Sequence, residues 1–377
     1  MLAGSAEGRG VRIAAMGDAM LGRQVGELFR AHPDRFAMSE FATLLKGHDI
    51  VFLNLECPVS RNGRPDPIQK PNVTFCADPE TLKVLQNLGV NVVSLGNNHM
   101  LDYGPEALHD TLGHLDETGI QHAGAGRNYE EANEPLLLTI NGIKLAILSH
   151  VFVFSASTRR ATRRSPGVSD YRITPILSRI RSLRANGYLV VVSLHWGLEY
   201  AFYPVPYQRK QARQMVDAGA SLILGHGPHF PQGIESYRDG RIVYSLGNFI
   251  FDEPYEYSNQ SFLHSIRLAA DGGLSEEQVV PFHIKDHVPQ ITEGKERERL
   301  ARLIDGLSAA YANEDKRYWR KISSRYFSDI VNRVLTMKSP RFLFLVPMSF
   351  YFDAGLVNIL KKLRPRNFIA LAAKLRG

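Results

Sequence analysis

Six short turns in this sequence carry side chains able to hold a metal ion or move a proton, and each follows an apolar run. They are Gly17-Asp18, Asn54-Leu55-Glu56, Gly96-Asn97-Asn98-His99 with Asp102 just beyond, His195-Trp196-Gly197, Gly225-His226-Gly227-Pro228-His229, and Gly247-Asn248. Carboxylate and amide oxygens mixed with imidazoles suit divalent transition metals such as Mn, Fe or Zn. A two-metal centre needs about six protein ligands and a bridging carboxylate, which this inventory can supply. Each turn also has a plainer reading. A Gly-Asp after a strand is usually a turn, Glu56 beside Pro58 could be surface, and Asn tolerates tight-turn geometry. Two features weigh toward a site. His195 beside Trp196 has no turn role, and His226 and His229 on a Gly/Pro turn can face one point.

The elements that must position these residues are buried strands. VRIAAM (11–16), IVFLNL (50–55), VNVVSL (90–95), KLAILSH (144–150), LVVVSLHW (189–196), SLILGH (221–226) and RIVYSLGNF (241–249) are short apolar runs rich in β-branched residues. SFLHSIRLAA and VVPFHIKDH read as closing strands. Helical patterns lie between several of them. TLKVLQNLG stops at Gly89, PEALHDTLGHLDETG opens with Pro105 and stops at Gly119, and ITPILSRIRSLRANG and YQRKQARQMVDAGA follow the same plan. Strands alternating with helices predict an α/β fold with covered sheet faces. In such sheets, ligands gather at the carboxyl ends of the strands, where the six turns fall. From Glu293 the texture becomes charged and helical. The predicted domains are therefore a catalytic domain over 10–292 and a helical, basic extension over 293–377.

The chain has 377 residues with ordinary globular proportions, 44% hydrophobic and 22% charged, which excludes a mainly disordered chain. Its two cysteines, Cys57 and Cys76, are too few for a disulfide framework or a thiolate metal site. The net charge of +7 is uneven: from Arg341 onward seven basic residues face a single acid, Asp353. A nucleic-acid binder would spread its basic charge over the folded body, so no nucleic-acid partner is expected. The N-terminus lacks the basic start and apolar core of a signal peptide, and no stretch reaches about 20 clean apolar residues. The expected location is cytoplasmic, with the tail (RFLFLVPMSFYF, then KKLRPR) offering contact with a membrane surface. Within the body, Arg159, Arg160, Arg163 and Arg164 form a basic cluster. It reads either as a solvated loop or as a lid that gathers an anionic substrate.

Together the motifs GDAMLGR (17–23), NLECPVS (54–60), SLGNNHMLDYG (94–104), SLHWGLEY (193–200), GHGPHFPQGIE (225–235) and YSLGNFIFD (244–252) resemble those of the CapA family of capsule and poly-γ-glutamate synthesis proteins. That family is similar to the calcineurin-like metallophosphoesterases. The resemblance covers about residues 10–290 and implies a four-layer α/β/β/α sandwich carrying two divalent metal ions at strand ends. It implies Asp18, Glu56, Asn98, His195, His226 and His229 as metal ligands, Glu56 bridging. It further implies His99 as general acid and Asp102 as the group orienting it. Two departures stand out. Ala19-Met20 follows Asp18 where the phosphoesterase pattern has Asp-x-His, which leaves one metal position a ligand short, and Gly227 stands where the last motif commonly has His. The implied function is metal-dependent hydrolysis of phosphoester-like or polyanionic substrates in capsule or poly-γ-glutamate metabolism. The alternative is an accessory subunit of polymer synthesis or export with little or no catalysis.

Overall fold

The strand IVFLNL has six consecutive buried residues, the mark of a parallel strand covered on both faces. A computed structural model describes residues 10–68, 73–152 and 158–312. Its strands in chain order are β1 (Gly10–Ala19), β2 (Ile50–Leu55), β3 (Val92–Ser94), β4 (Gln121–Ala123), β5 (Ala125–Gly126), β6 (Leu136–Ile140), β7 (Ile143–Val151) and β8 (Gly167–Val168). They continue with β9 (Leu189–His195), β10 (Leu222–His226), β11 (Ile234–Tyr237), β12 (Gly240–Val243), β13 (Asn248–Ile250), β14 (Gln260–Ala269), β15 (Leu274–Lys285) and β16 (Val288–Ile291). The helices are α1 (Arg23–Ala31), α2 (Ser39–Leu45), α3 (Leu82–Asn87), α4 (Gly104–Thr118), α5 (Tyr129–Asn133), α6 (Ile173–Ala185), α7 (Pro206–Asp217) and α8 (Gly294–Ala309).

The first sheet runs β16-β15-β14-β1-β2-β3-β4, with β13 also paired to β1; the second runs β11-β12-β10-β9-β7-β6. Alternate residues of each strand face opposite sides. Val11, Ile13 and Ala15 of β1, with Ile50 and Phe52 of β2, meet Leu145 and Ile147 of β7, Val191 of β9 and Leu224 of β10 in the inter-sheet core. The opposite parity, Ala14, Met16, Val51 and Leu53, packs on Leu85 of α3 and on Leu108, Leu112 and Leu115 of α4. On the outside of the second sheet, α6 buries Ile176, Ile180 and Leu183 and packs against β9. The layers are thus helix, sheet, sheet, helix, as the family resemblance implies.

Helix punctuation follows the sequence. Pro105 occupies the first turn of α4, and Gly119 ends it with φ +73°. Two expectations need correction. RIVYSLGNF is not one strand: β12 belongs to the second sheet and β13 to the first, and the chain crosses between them at Tyr244–Gly247. Nor does the body end at residue 292. The compact unit holding both sheets runs to Tyr311, because α8 buries Leu300, Ile304 and Leu307, and Ile304 joins the inter-sheet core. The basic tail lies outside the described residues.

Candidate metal centre

Strand register lines up the site. Asp18 on β1 is level with Asn54 on β2 and with Asn248 at the start of β13. In the second sheet His226 on β10 is level with His195 on β9. Asp18, Asn54, Glu56, His226 and Asn248 are fully buried, and His195 and His229 nearly so. Two glycines make the approach possible. A Cβ on Gly17 would lie 2.0 Å from the Gly247 carbonyl oxygen, which instead accepts the Asp18 N–H at 3.0 Å. Gly227 has φ +101°, and a Cβ there would stand 3.0 Å from His195 Nε2. Its N–H donates to Asp18 Oδ2 at 3.2 Å. The departure at position 227 thus gives His195 its room.

Asp18 has His226 Nδ1 3.2 Å from Oδ1 and His229 Nδ1 3.5 Å from Oδ2. Glu56 Oε1 has three imidazole nitrogens around it: His229 Nε2 at 3.7 Å, with His99 Nε2 and His195 Nε2 each at 3.8 Å. Asn54 braces the two carboxylates, its amide nitrogen 2.9 Å from Asp18 Oδ1, 3.4 Å from Glu56 Oε2 and 3.4 Å from His195 Nδ1. Asn248 Oδ1 meets His229 Nδ1 at 2.9 Å. That leaves His229 Nε2 facing the centre, the way metal-ligating imidazoles are usually held. His229 itself sits at φ +58°, a conformation uncommon outside glycine and frequent at functional sites.

Electrostatics mark the cluster as short of positive charge. Burial, followed by the charge of Asp18, holds Glu56 well above the usual carboxylate range. Burial would raise Asp18 too, but hydrogen bonds from His226 and His229 outweigh it and hold Asp18 well below its ordinary value. Burial would lower His229, yet Glu56 and Asp18 raise it well above the ordinary imidazole range. His195, dominated by burial, drops to about 3 and stays neutral. Burial pushes Cys76 up to about 11 and Cys57 higher still, so neither thiol supplies a thiolate.

Beside this cluster His99 Nδ1 donates to Asp102 Oδ2 at 2.7 Å. The adjacent amides divide their work. Asn97 is fully buried and its amide nitrogen donates to Asn54 Oδ1 at 3.2 Å and to the Leu55 carbonyl at 2.8 Å.

The donor set fits a divalent cation. Among the described residues, Glu56 Oε1, Asn98 Oδ1 and His226 Nε2 are buried with no hydrogen-bond partner, a costly state unless something else binds them. Ligand atoms of Asp18, Glu56 and His229 all lie within 4.8 Å of one another. Separations of 3.7–3.8 Å around Glu56 Oε1 are too long for hydrogen bonds. They suit atoms each about 2.0–2.3 Å from a shared ion. Of the six ligands expected from sequence, the structure gathers Asp18, Glu56, His195, His226 and His229; Asn98, on the turn after β3, carries a buried oxygen with no hydrogen-bond partner among the described residues. The sequence places Asn54, Asn97 and Asn248 in the candidate turns but assigns them no role at the site. For Asn54 the signal was there, an amide inside an otherwise apolar strand.

The family model described as bacterial capsule synthesis protein PGA_cap matches residues 12–253. The chain belongs to this family. It is 33% identical over 305 residues to the capsule biosynthesis protein CapA of Bacillus anthracis, covering 79% of this chain and 74% of that one. It is 31% identical over 275 residues to the PGA biosynthesis protein CapA of Bacillus subtilis, covering 73% and 72%. Among solved structures it is similar to the NAD nucleotidase of Haemophilus influenzae, with a TM-score of 0.43 and 12% identity, covering 85% of this chain and 60% of that one. The PGA_cap match begins within β1 and runs past β13, so it includes every residue gathered at the candidate centre. Among the described residues no helix is long and apolar enough to cross a membrane.

Proposed function

We propose that this PGA_cap protein is a metal-dependent hydrolase of phosphoester-like bonds, acting on an anionic substrate in capsule or poly-γ-glutamate metabolism. The observation that carries this reading is the unpartnered Glu56 oxygen ringed by three imidazoles, with the His99–Asp102 pair at its edge. Asp18, Glu56, Asn98, His195, His226 and His229 would hold two divalent ions of the Mn, Fe or Zn type. When bound, such ions supply a Lewis acid for substrate oxygens and lower the pKa of water. The chain's own part is to place and protonate. Asp102 accepts the Nδ1 proton of His99 and so fixes its orientation. Nε2 then points to the centre, 3.8 Å from Glu56 Oε1, where it can protonate a leaving oxygen. Anion attraction has a local source. Arg159 pairs with Asp66 at 2.9 Å, and the Asp66 backbone N–H donates to the Asp102 carbonyl at 2.7 Å. The basic cluster is thereby tied to the strand end that carries the acid, with Arg163 and Arg164 exposed beyond it.

One observation favours a second reading, an accessory subunit that holds metal without turnover. Met20 is buried where the phosphoesterase pattern offers a histidine, and its N–H is committed to the Ile250 carbonyl. Metal analysis of the purified chain, with a screen of phosphomonoesters, phosphodiesters and γ-glutamyl polymers, separates the two. Turnover that needs metal supports the hydrolase; bound metal with no turnover supports the accessory subunit. His99→Ala should lose ~10²–10⁴-fold in turnover and keep its metal, whereas His226→Ala should lose metal. Equal metal loss in both would show the roles to be misassigned. Contact of the tail with anionic lipid is proposed from composition alone, and co-sedimentation of the full chain with anionic vesicles at low and raised salt tests it.

A further inference from the structure

Phe75 meets the His99–Asp102 pair twice. Its backbone N–H donates to Asp102 Oδ2 at 2.7 Å, the oxygen that also takes the His99 Nδ1 proton. Its ring lies against the imidazole, with centroids 4.0 Å apart and planes 25° from parallel. The guanidinium of Arg23 stands 4.5 Å from the centroid of the same ring. Arg23 is held in turn by the nearly buried carboxylate of Asp252, through Nε to Oδ2 at 3.1 Å and through Nη2 to Oδ1. Asp252 also accepts the Gln24 N–H at 3.3 Å, at the start of α1.

The backbone is shaped to allow this. Arg23 adopts φ +46°, a region L-residues seldom enter. A Cβ on the preceding Gly22 would lie 2.2 Å from the Cys76 carbonyl oxygen. Glycine there lets the β1–α1 turn press against the loop segment that carries Phe75.

A single hydrogen bond at Nδ1 fixes one atom of an imidazole and leaves the ring free to rock about it. A flat contact on the ring face removes that freedom, and displacement of a reacting group by about 1 Å can cost ~10²-fold in rate. We infer that Phe75, clamped by the Arg23–Asp252 pair, is the positioning residue that keeps His99 Nε2 aimed at the metal centre. This rests on the reading of His99 as general acid.

The test uses the full chain loaded with metal. Phe75→Leu keeps the backbone N–H and an apolar side chain but loses the flat ring; Phe75→Tyr keeps the ring. An alkyl phosphodiester has a leaving group that needs a proton, and a p-nitrophenyl phosphodiester has one that does not. Phe75→Leu should lower kcat on the alkyl ester ~10–100-fold and on the aryl ester less than ~3-fold, with KM and metal content unchanged. Phe75→Tyr should restore both. Equal losses on the two esters, or none, overturn the inference. Arg23→Gln should show the same pattern in weaker form; wild-type behaviour would remove Arg23 from the device. A second readout needs no turnover. In 15N-histidine NMR, the hydrogen-bonded Nδ1 proton of His99, assigned by its absence in His99→Gln, should exchange faster in Phe75→Leu. If no form hydrolyses either ester, the hydrolase reading fails, and the proton alone decides the positioning role: unchanged exchange refutes it.

Discussion

One amide does more at this centre than its place in the sequence suggests. Asn54 reaches Asp18, Glu56 and His195 with its nitrogen while its oxygen accepts from Asn97. Two buried carboxylates this close repel each other, and the amide is the neutral group that orients both. Asn54→Leu keeps the volume and removes that direction. Groups that orient ligands in this way are typically worth ~10–100-fold in metal affinity, so the variant should release metal to a chelator at correspondingly lower concentration; unchanged retention would make Asn54 a packing residue. Asp18, Glu56, His195, His226 and His229 were legible because their types are rare at ends of buried strands. The choice between Asn97 and Asn98 was not. Spacing cannot say which neighbouring amide turns inward to brace Asn54 and which leaves its oxygen without a partner.

At the scale of elements, the passage from β12 to β13 decides whether the centre forms. Sequence periodicity shows one continuous apolar run there, because both halves are buried. The break depends on Gly247 at φ +70° and on Gly17, which is more than 200 residues away. Neither backbone conformation nor a distant close approach leaves a trace in local pattern. Gly17→Ala would drive a methyl group into the Gly247 carbonyl and move Asn248 away from Asp18. Overpacking of this kind typically costs about 1–3 kcal/mol. Urea unfolding should show that loss together with weakened metal binding, and a stability within about 0.5 kcal/mol of the parent would show that the strands can yield. The alternation of strands and helices, and the helix ends at Pro105 and Gly119, were readable because they rest on local chemistry.

For the whole molecule, acid sensitivity has a source apart from the proposed metal ligands. His150, near the end of β7, is 6% exposed, and its Nδ1 has no hydrogen-bond partner among the described residues. Burial, then the charge of Arg179, depresses its pKa to about 4. The unfolded chain takes up this proton near pH 6.5 and the folded chain only near pH 4. Folding is therefore unpenalised above about pH 6.5 and loses stability as pH falls toward 4, by about 3 kcal/mol in all. Comparing urea unfolding of wild type and His150→Gln between pH 7 and pH 4 isolates this contribution, since metal loss affects both. The variant should show the shallower decline, and parallel curves would locate the acid sensitivity elsewhere. The body's extent was misread at this scale. The charged surface of α8 resembles an appendage, while Leu300, Ile304 and Leu307 on its other face belong to the body.

The level row Asn248–Asp18–Asn54 also bears on how the chain is born. The first partner of that row to leave the ribosome is Asp18 and the last is Asn248, with His195, His226 and His229 emerging late in between. β1 lies in mid-sheet, yet its antiparallel neighbour β14 is synthesised some 240 residues after it. Such long-range pairings close slowly and leave strand edges open meanwhile. A nascent or truncated chain ending before residue 226 has the early carboxylates but lacks the last two proposed ligands, His226 and His229. On the proposed metal reading, capture of an ion would follow synthesis of the ligand-bearing strands of both sheets.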